Sequence, residues 1–132
     1  MTPEEALHGK WELGICKNPF SNKNTLDLQT PPGITTLSAP QGFFYADPFV
    51  IKKDNFYYIF FEHYNYTKGS IAYLQLNEKL ETVGSPHILD LPIKSHLSYP
   101  YLFEDNGNLY FIPESCHNST ISLFKCEEFP HK

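Results

Sequence analysis

The chain has 132 residues, a formal net charge of −5, and 9 Tyr and 11 Phe beside 11 Pro. That length suits one domain with a real core, and the aromatic, proline-rich mix favours strands and turns over helices. An acidic balance with no Lys/Arg cluster argues against nucleic acid as the main partner, and no stretch is long and apolar enough to span a membrane.

In chain order, the start "MTPEEALHGKWELGIC" lacks a basic region followed by an apolar one. No secretory signal is visible, and a cytoplasmic location is expected. Within residues 10–45, "KWELGICK" is a candidate strand, and "NPFSNKNTLDLQTPPGITTLSAPQ" reads as a long polar connection. Two units follow, 46–95 and 96–132. Strands are predicted near 46–52, 56–62 and 70–76 in the first, and near 99–104, 108–113 and 119–125 in the second. Cys16, Cys116 and Cys126 form no C-x-x-C pair and are expected to be reduced. The sequons at Asn65 and Asn118 read as chance matches in turns. The histidines show no metal-ligand spacing, so neither a metal site nor another cofactor is expected.

The two units are related. At an offset of 52, "FYADPFVIKKDNFYYIFFE" aligns without a gap on "HLSYPYLFEDNGNLYFIPE". Asp47 falls on Tyr99, Pro48 on Pro100, Phe49 on Tyr101, Tyr58 on Tyr110 and Glu62 on Glu114. After a two-residue deletion "SIAYLQL" falls on "TISLFKC". A period near fifty with several strands per unit is the signature of a propeller blade.

The turns set an expected register. Asn106-Gly107 lies between two apolar runs, a strong hairpin signal, and Asp54-Asn55 occupies the matching place. Counting outward from a two-residue turn puts Asp47 opposite Glu62, Tyr99 opposite Glu114 and Pro100 opposite Pro113. Opposed residues project from one face of a sheet, so Asp47 and Glu62 are expected as neighbours at one end of a hairpin. "YYIFFE" and "LYFIPE" lack polar alternation, which suggests burial on both faces.

"WELGIC", "ADPFVI", "YYIFFE", "KGSIAY", "HLSYPYLFEDNGNLYFIPES" and "ISLFKCEEFP" together resemble one family. It is the glycoside-hydrolase-like domain at the N-terminus of plant glucosamine inositolphosphorylceramide transferase and in bacterial relatives, some beside sugar formyltransferase-like domains. More distantly, "ADPF" before an apolar hairpin is similar to the five-bladed propellers of glycoside hydrolase families 43 and 32. The resemblance covers roughly residues 10 to 130 and implies an all-β partial propeller, about two blades of five. In those glycosidases the first blade supplies a base Asp, the second an Asp and the third an acid Glu. Asp47 matches the first, Tyr99 stands where the second would be, and the third lies beyond this chain. Two blades cannot close a five-bladed ring, so a fragment or an open pair of sheets is expected.

Glycoside hydrolysis needs an acid and a base or nucleophile flanking the sugar. Asp47 is the candidate base and Glu62 the candidate acid, because opposed carboxylates repel and one then holds a proton near neutrality. The alternative is that both sit at a solvated sheet end and titrate normally. His96, Ser98 and Tyr99 in "HLSYP", with Glu114 behind Tyr99, form a candidate sugar-binding set, since aromatic faces and hydroxyls suit stacking and hydrogen bonding. The alternative is a covered core edge and a loop cap. Three functions follow: a carbohydrate- or glycoconjugate-recognising propeller portion without complete catalytic machinery, a glycosidase-like enzyme completed by further blades or oligomerisation, and an interaction scaffold. Self-association, or a partner supplying missing blades, is expected at a second-unit face carrying Leu109, Phe111, Leu123 and Phe124.

Overall fold

A computed structural model of the chain describes Pro3, residues 9–17 and residues 33–132. Its regular structure is three antiparallel sheets. Strands β1 (Leu13–Ile15) and β2 (Thr35–Leu37) form a ribbon; β3 (Phe44–Lys53), β4 (Phe56–Tyr64), β5 (Gly69–Leu76) and β6 (Thr82–Ile88) follow one another across a second sheet. A third sheet contains β7 (Ser98–Asp105), β8 (Asn108–Glu114) and β9 (Phe124–Lys125), with a single 3-10 turn at Cys116–Asn118. The fold of the described residues is all-β, as expected. The sheets are separate and close no ring among the described residues.

Both expected hairpins form at the expected turns. Asp54 has φ +54°, and Asn106 and Gly107 have φ +47° and +75°. Positive φ at both Asn106 and Gly107 matches the twist of the flanking strands, and glycine meets it without steric cost. The candidate strand near Trp11 is β1. The polar connection contains a strand, β2, which pairs Leu37 with Leu13; its residues 18–32 lie outside the described set.

Two differences concern the outer strands. Gly84 and Pro86 mask the strand signal of "TVGSPHI", yet it forms β6 along the edge of β5. Pairing there satisfies the backbone of a strand whose own side chains are nearly all buried. Conversely, the expected strand at 119–125 shrinks to Phe124–Lys125. The 3-10 turn and Ser119 at φ +51° come first, and Ser115 Oγ donates to the Thr120 carbonyl, holding that loop off the ladder.

Strand β4 is covered on both faces, as its apolar run requires. Ile59 and Phe61 point into a core with Leu13, Leu37, Ala39, Tyr45, Leu74 and Leu76. The opposite face carries Tyr58, Phe60 and Glu62 toward the third sheet. Phe60 packs on Tyr73 at 5.6 Å between ring centroids and on Phe129 at 6.3 Å, and β7 crosses β3 and β4. Edge-to-face contacts from Phe49 to Tyr99 (5.0 Å) and to Tyr101 (5.9 Å) join the two sheets near their ends. Leu109, Phe111 and Phe124 face inward too, lining a 230 Å³ apolar gap beside Phe60 and Phe129. The outward face of the second unit is instead Tyr101, Ile112 and Ile121, so three of the four residues expected there point the other way.

The expected register holds from each turn to Phe49↔Phe60 and Tyr101↔Ile112, and then slips by one residue. Glu62 pairs with Ala46 rather than Asp47, and Glu114 with Ser98 rather than Tyr99. Asp47 and Pro48 together oppose Phe61; Tyr99 and Pro100 together oppose Pro113. Each is a β-bulge, two residues against one, and its first residue has positive φ: +52° at Asp47 and +44° at Tyr99. A strand proline cannot donate to the ladder and commonly marks such a bulge.

Candidate functional site

The bulge of the first hairpin opens onto a cleft of about 640 Å³ between β1, the β3–β4 hairpin and Tyr99. Asp47 and Glu62 both line it, joined by Trp11, Glu12, Phe49 and Tyr99. Although the register does not oppose the two carboxylates, it leaves them in one cavity, because the bulge re-aims Asp47 without moving it from the end of the hairpin. Trp11 is 64% exposed and Tyr99 49%. Large aromatic faces left open beside carboxylates suit a ligand with apolar ring faces and hydroxyl edges. A non-glycine residue at positive φ costs about 1–3 kcal/mol, and a bulky one such as Tyr99 is rarely found there; such outliers cluster at ligand sites.

Glu62 is only 7% exposed. Burial, and then the negative charges of Asp47 and Glu114, push its pKa up to about 7. Its protonated form is therefore favoured far above the ordinary carboxylate range. A solvated sheet end would not produce that. Glu114, the counterpart of Glu62, is exposed and lines a second hollow of about 480 Å³ with Tyr99, Tyr101 and Ile121. Tyr99 borders both hollows.

His96 and Ser98 line neither hollow. His96 stands behind Glu62, with Nε2 3.3 Å from Glu62 Oε1. Its Nδ1 accepts a 2.9 Å hydrogen bond from the backbone N–H of Gly69. An acceptor Nδ1 leaves the ring proton on Nε2, facing Glu62. Burial and the neighbouring His117 hold His96 below the ordinary histidine range, with Lys68 adding to this and Glu114 opposing it. Both shifts favour the neutral forms of the two groups over an ion pair. Ser98 is half-buried and serves β7 by pairing with Glu114.

Sequence reasoning missed Trp11 as a cleft residue and Gly69 altogether. At Gly69 a Cβ would collide with Glu62 Oε1, and would come within 2.6 Å of the Leu97 carbonyl and 2.9 Å of His96 Cε1. Only glycine allows β5 to approach both side chains this closely. The glycine in "KGSIAY" was the available signal, since a glycine inside a strand often marks a close approach. Asn65 and Asn118 spend their side chains locally. Asn65 Oδ1 accepts from the Thr67 and Lys68 N–H groups, and Asn118 Oδ1 from Ser95 Oγ. The three cysteines are free. Among the described residues no group of three or more His, Cys, Asp or Glu is arranged to hold a metal ion.

The chain is similar to glucosamine inositolphosphorylceramide transferase 1 of Arabidopsis thaliana, 28% identical over 145 residues that cover 96% of this chain and 19% of that protein. The proteins of the same name from Oryza sativa subsp. indica and subsp. japonica are each 24% identical, over 92% of this chain and 19% of their own length. The chain therefore spans about a fifth of the curated relatives it matches. No solved structure matches it significantly. A family model described as "Glucosamine inositolphosphorylceramide transferase 1, N-terminal" matches residues 27–132, most of the chain, and the protein belongs to that family.

Proposed function

We propose that this chain recognises a carbohydrate or the glycosyl part of a glycoconjugate in the cleft between Trp11 and Tyr99, and that its two larger sheets are successive blades of a glycosidase-like propeller. The observation that carries the reading is the joint presence in one cleft of a buried Glu62 whose pKa is pushed up to about 7, the carboxylate of Asp47 and two open aromatic faces. Sugars combine apolar ring faces with hydroxyls that both donate and accept, and a protonated acid beside a carboxylate offers both partners. Membership of a family named for a glycosyltransferase supports a glycosyl-related role.

The test is a titration of isotope-labelled protein with a panel of monosaccharides and methyl glycosides, followed by NMR. At least one sugar is expected to shift the indole signal of Trp11 and the ring signals of Tyr99, and the Trp11→Ala and Tyr99→Ala variants to weaken that sugar by about tenfold each, the order expected of a stacking contact. A panel that leaves both residues unmoved at millimolar sugar sinks the reading.

The raised pKa of Glu62 favours a second reading, in which Glu62 is a general acid and Asp47 a base. Turnover of aryl glycosides that disappears in Glu62→Gln would establish it. The open face of Tyr101, Ile112 and Ile121, the last 87% exposed, supports self-association or a partner that supplies a further sheet. Sedimentation across a concentration series tests this, and a strictly monomeric species at high concentration counts against self-association.

A further inference from the structure

The sequence suggests His96 as a ligand residue, yet its ring has no place in the cleft. Both of its nitrogens are committed elsewhere, Nδ1 to the Gly69 N–H at 2.9 Å and Nε2 toward Glu62 Oε1 at 3.3 Å. The Gly69 N–H is a backbone donor that must be satisfied where it is buried, so Nδ1 cannot carry a proton without setting two donors against each other. Leu97 N–H closes the same link by donating to the Gly69 carbonyl at 3.0 Å. The loop before β7 is thereby pinned to the first residue of β5, and the imidazole is wedged between that residue and the acid. Tyr64 packs edge-on against the ring at 5.7 Å.

We infer that His96 is a positioning residue for Glu62: Gly69 locks its neutral tautomer with the proton on Nε2, that N–H holds Glu62 Oε1, and the second carboxyl oxygen is left for the ligand. The inference rests on Glu62 being a working group of the cleft, as proposed above. It assigns the two oxygens of that group different duties. One is held by the protein, and the other is the place where a ligand hydroxyl or glycosidic oxygen meets the acid. Protonating His96 would break the Gly69 bond, so the ring remains a neutral donor while Glu62 titrates. The charged or titratable groups facing Glu62 come from every neighbouring element. They are Asp47 on β3, Glu114 on β8, His96 before β7, and Lys68 and His117 behind His96, while His63, the next residue of β4, points to the opposite face against Phe43 and Tyr45. A donor aimed at a carboxylate favours its charged form, so His96 partly offsets the burial and repulsion that push Glu62 upward.

The experiment needs no sugar. In the unliganded protein, nitrogen-15 shifts of His96 and the carboxyl carbon-13 shift of Glu62 are followed from pH 5 to 9. The expected result is a neutral His96 with its proton on Nε2 throughout pH 6 to 9. The His96→Phe variant keeps the ring volume and removes both the Gly69 hydrogen bond and the Glu62 contact, and should raise the apparent pKa of Glu62 by roughly one unit. His96→Gln retains a donor for Glu62 and should restore the native titration, which a purely packing role would not do. A proton on Nδ1, an imidazolium above pH 6, or a Glu62 titration indifferent to His96→Phe overturns the inference. If His96→Phe does not fold, the tautomer in the native protein and the His96→Gln titration still decide it. Should no sugar bind while the titrations behave as expected, the ligand reading fails and the positioning role stands.

Discussion

The two hairpins of this protein share a design and differ in what covers them. Each runs strand, two-residue turn, strand, and each breaks its ladder with the same bulge, at Asp47-Pro48 and at Tyr99-Pro100. Each ends on a glutamate at the same place. In the first unit that face lies under β7, and Glu62 is buried. In the second unit the equivalent face is open, and Glu114 is exposed beside Tyr101 and Ile121. Backbone register thus specifies where a carboxylate sits, and the neighbouring sheet specifies what kind of acid it is.

The largest expected effect probes how completely each sheet is buried. Phe61 is fully buried, and Phe61→Ala should cost about 3–5 kcal/mol of unfolding free energy. Phe111→Ala, in the half-covered sheet, should cost roughly half as much, since less burial is lost. Urea unfolding of both variants compares them. Equal losses would mean that the two sheets are covered alike.

A smaller effect is expected where β5 touches the site. Gly69→Ala drives a methyl into Glu62, His96 and the Leu97 carbonyl, and should cost about 1–3 kcal/mol, the range of an overpacked core position. Ser119 occupies the aligned place in the second unit and is exposed. Ser119→Ala should change stability by less than about 0.5 kcal/mol. Thermal unfolding separates these cases, and the Glu62 carboxyl signal should move in the first variant alone.

The third comparison uses pH. Glu62 titrates at about 7 in the folded protein, against a reference of 4.5. Between those values the folded state holds a proton that the unfolded state has released. Stability contributed by the neutral acid is complete below pH 4.5 and is lost as pH rises through 7. The upper limit of the loss is about 3 kcal/mol, reduced by solvent that reaches the cleft. Glu62→Gln should remove most of this decline between pH 5 and 8, whereas Glu114→Gln should leave it nearly intact. His96 contributes in the opposite sense: its lowered pKa costs stability as pH falls below the ordinary histidine range. Denaturant midpoints measured at half-unit steps of pH would expose both slopes.

The smallest expected effect isolates the bulge. Asp47→Asn keeps a side chain that tolerates positive φ and removes one negative charge near Glu62. The Glu62 pKa should fall by less than one unit, because burial, the larger cause, remains. A fall all the way to 4.5 would show repulsion, not burial, to be dominant.

Much of this was legible beforehand. The 52-residue repeat, the hairpin turns and the doubly apolar β4 are local patterns, and local chemistry decides them: Asn-Gly sets a turn, and an unbroken apolar run demands two covered faces. The bulges were half legible, since Pro48 and Pro100 announce an interruption without stating where the extra residue goes. β6 was not legible at all. In "TVGSPHI" Gly84 and Pro86 outweigh the β-branched Thr82, Val83 and Ile88; the unpaired edge of β5 recruits it.

The candidate site divides in the same way. That Asp47 and Glu62 lie at one end of one hairpin follows from counting residues outward from Asp54-Asn55, because backbone pairing has fixed geometry. That burial raises the Glu62 pKa while Glu114 is exposed does not follow from any count, since the two occupy equivalent positions in similar stretches. Desolvation comes from chain distant in sequence. β7 lies across one glutamate, the 52-residue shift leaves the other uncovered, and the link from Gly69 to His96 depends on where the third sheet docks. Pairing is set by neighbours along the chain, and solvation only by neighbours in space.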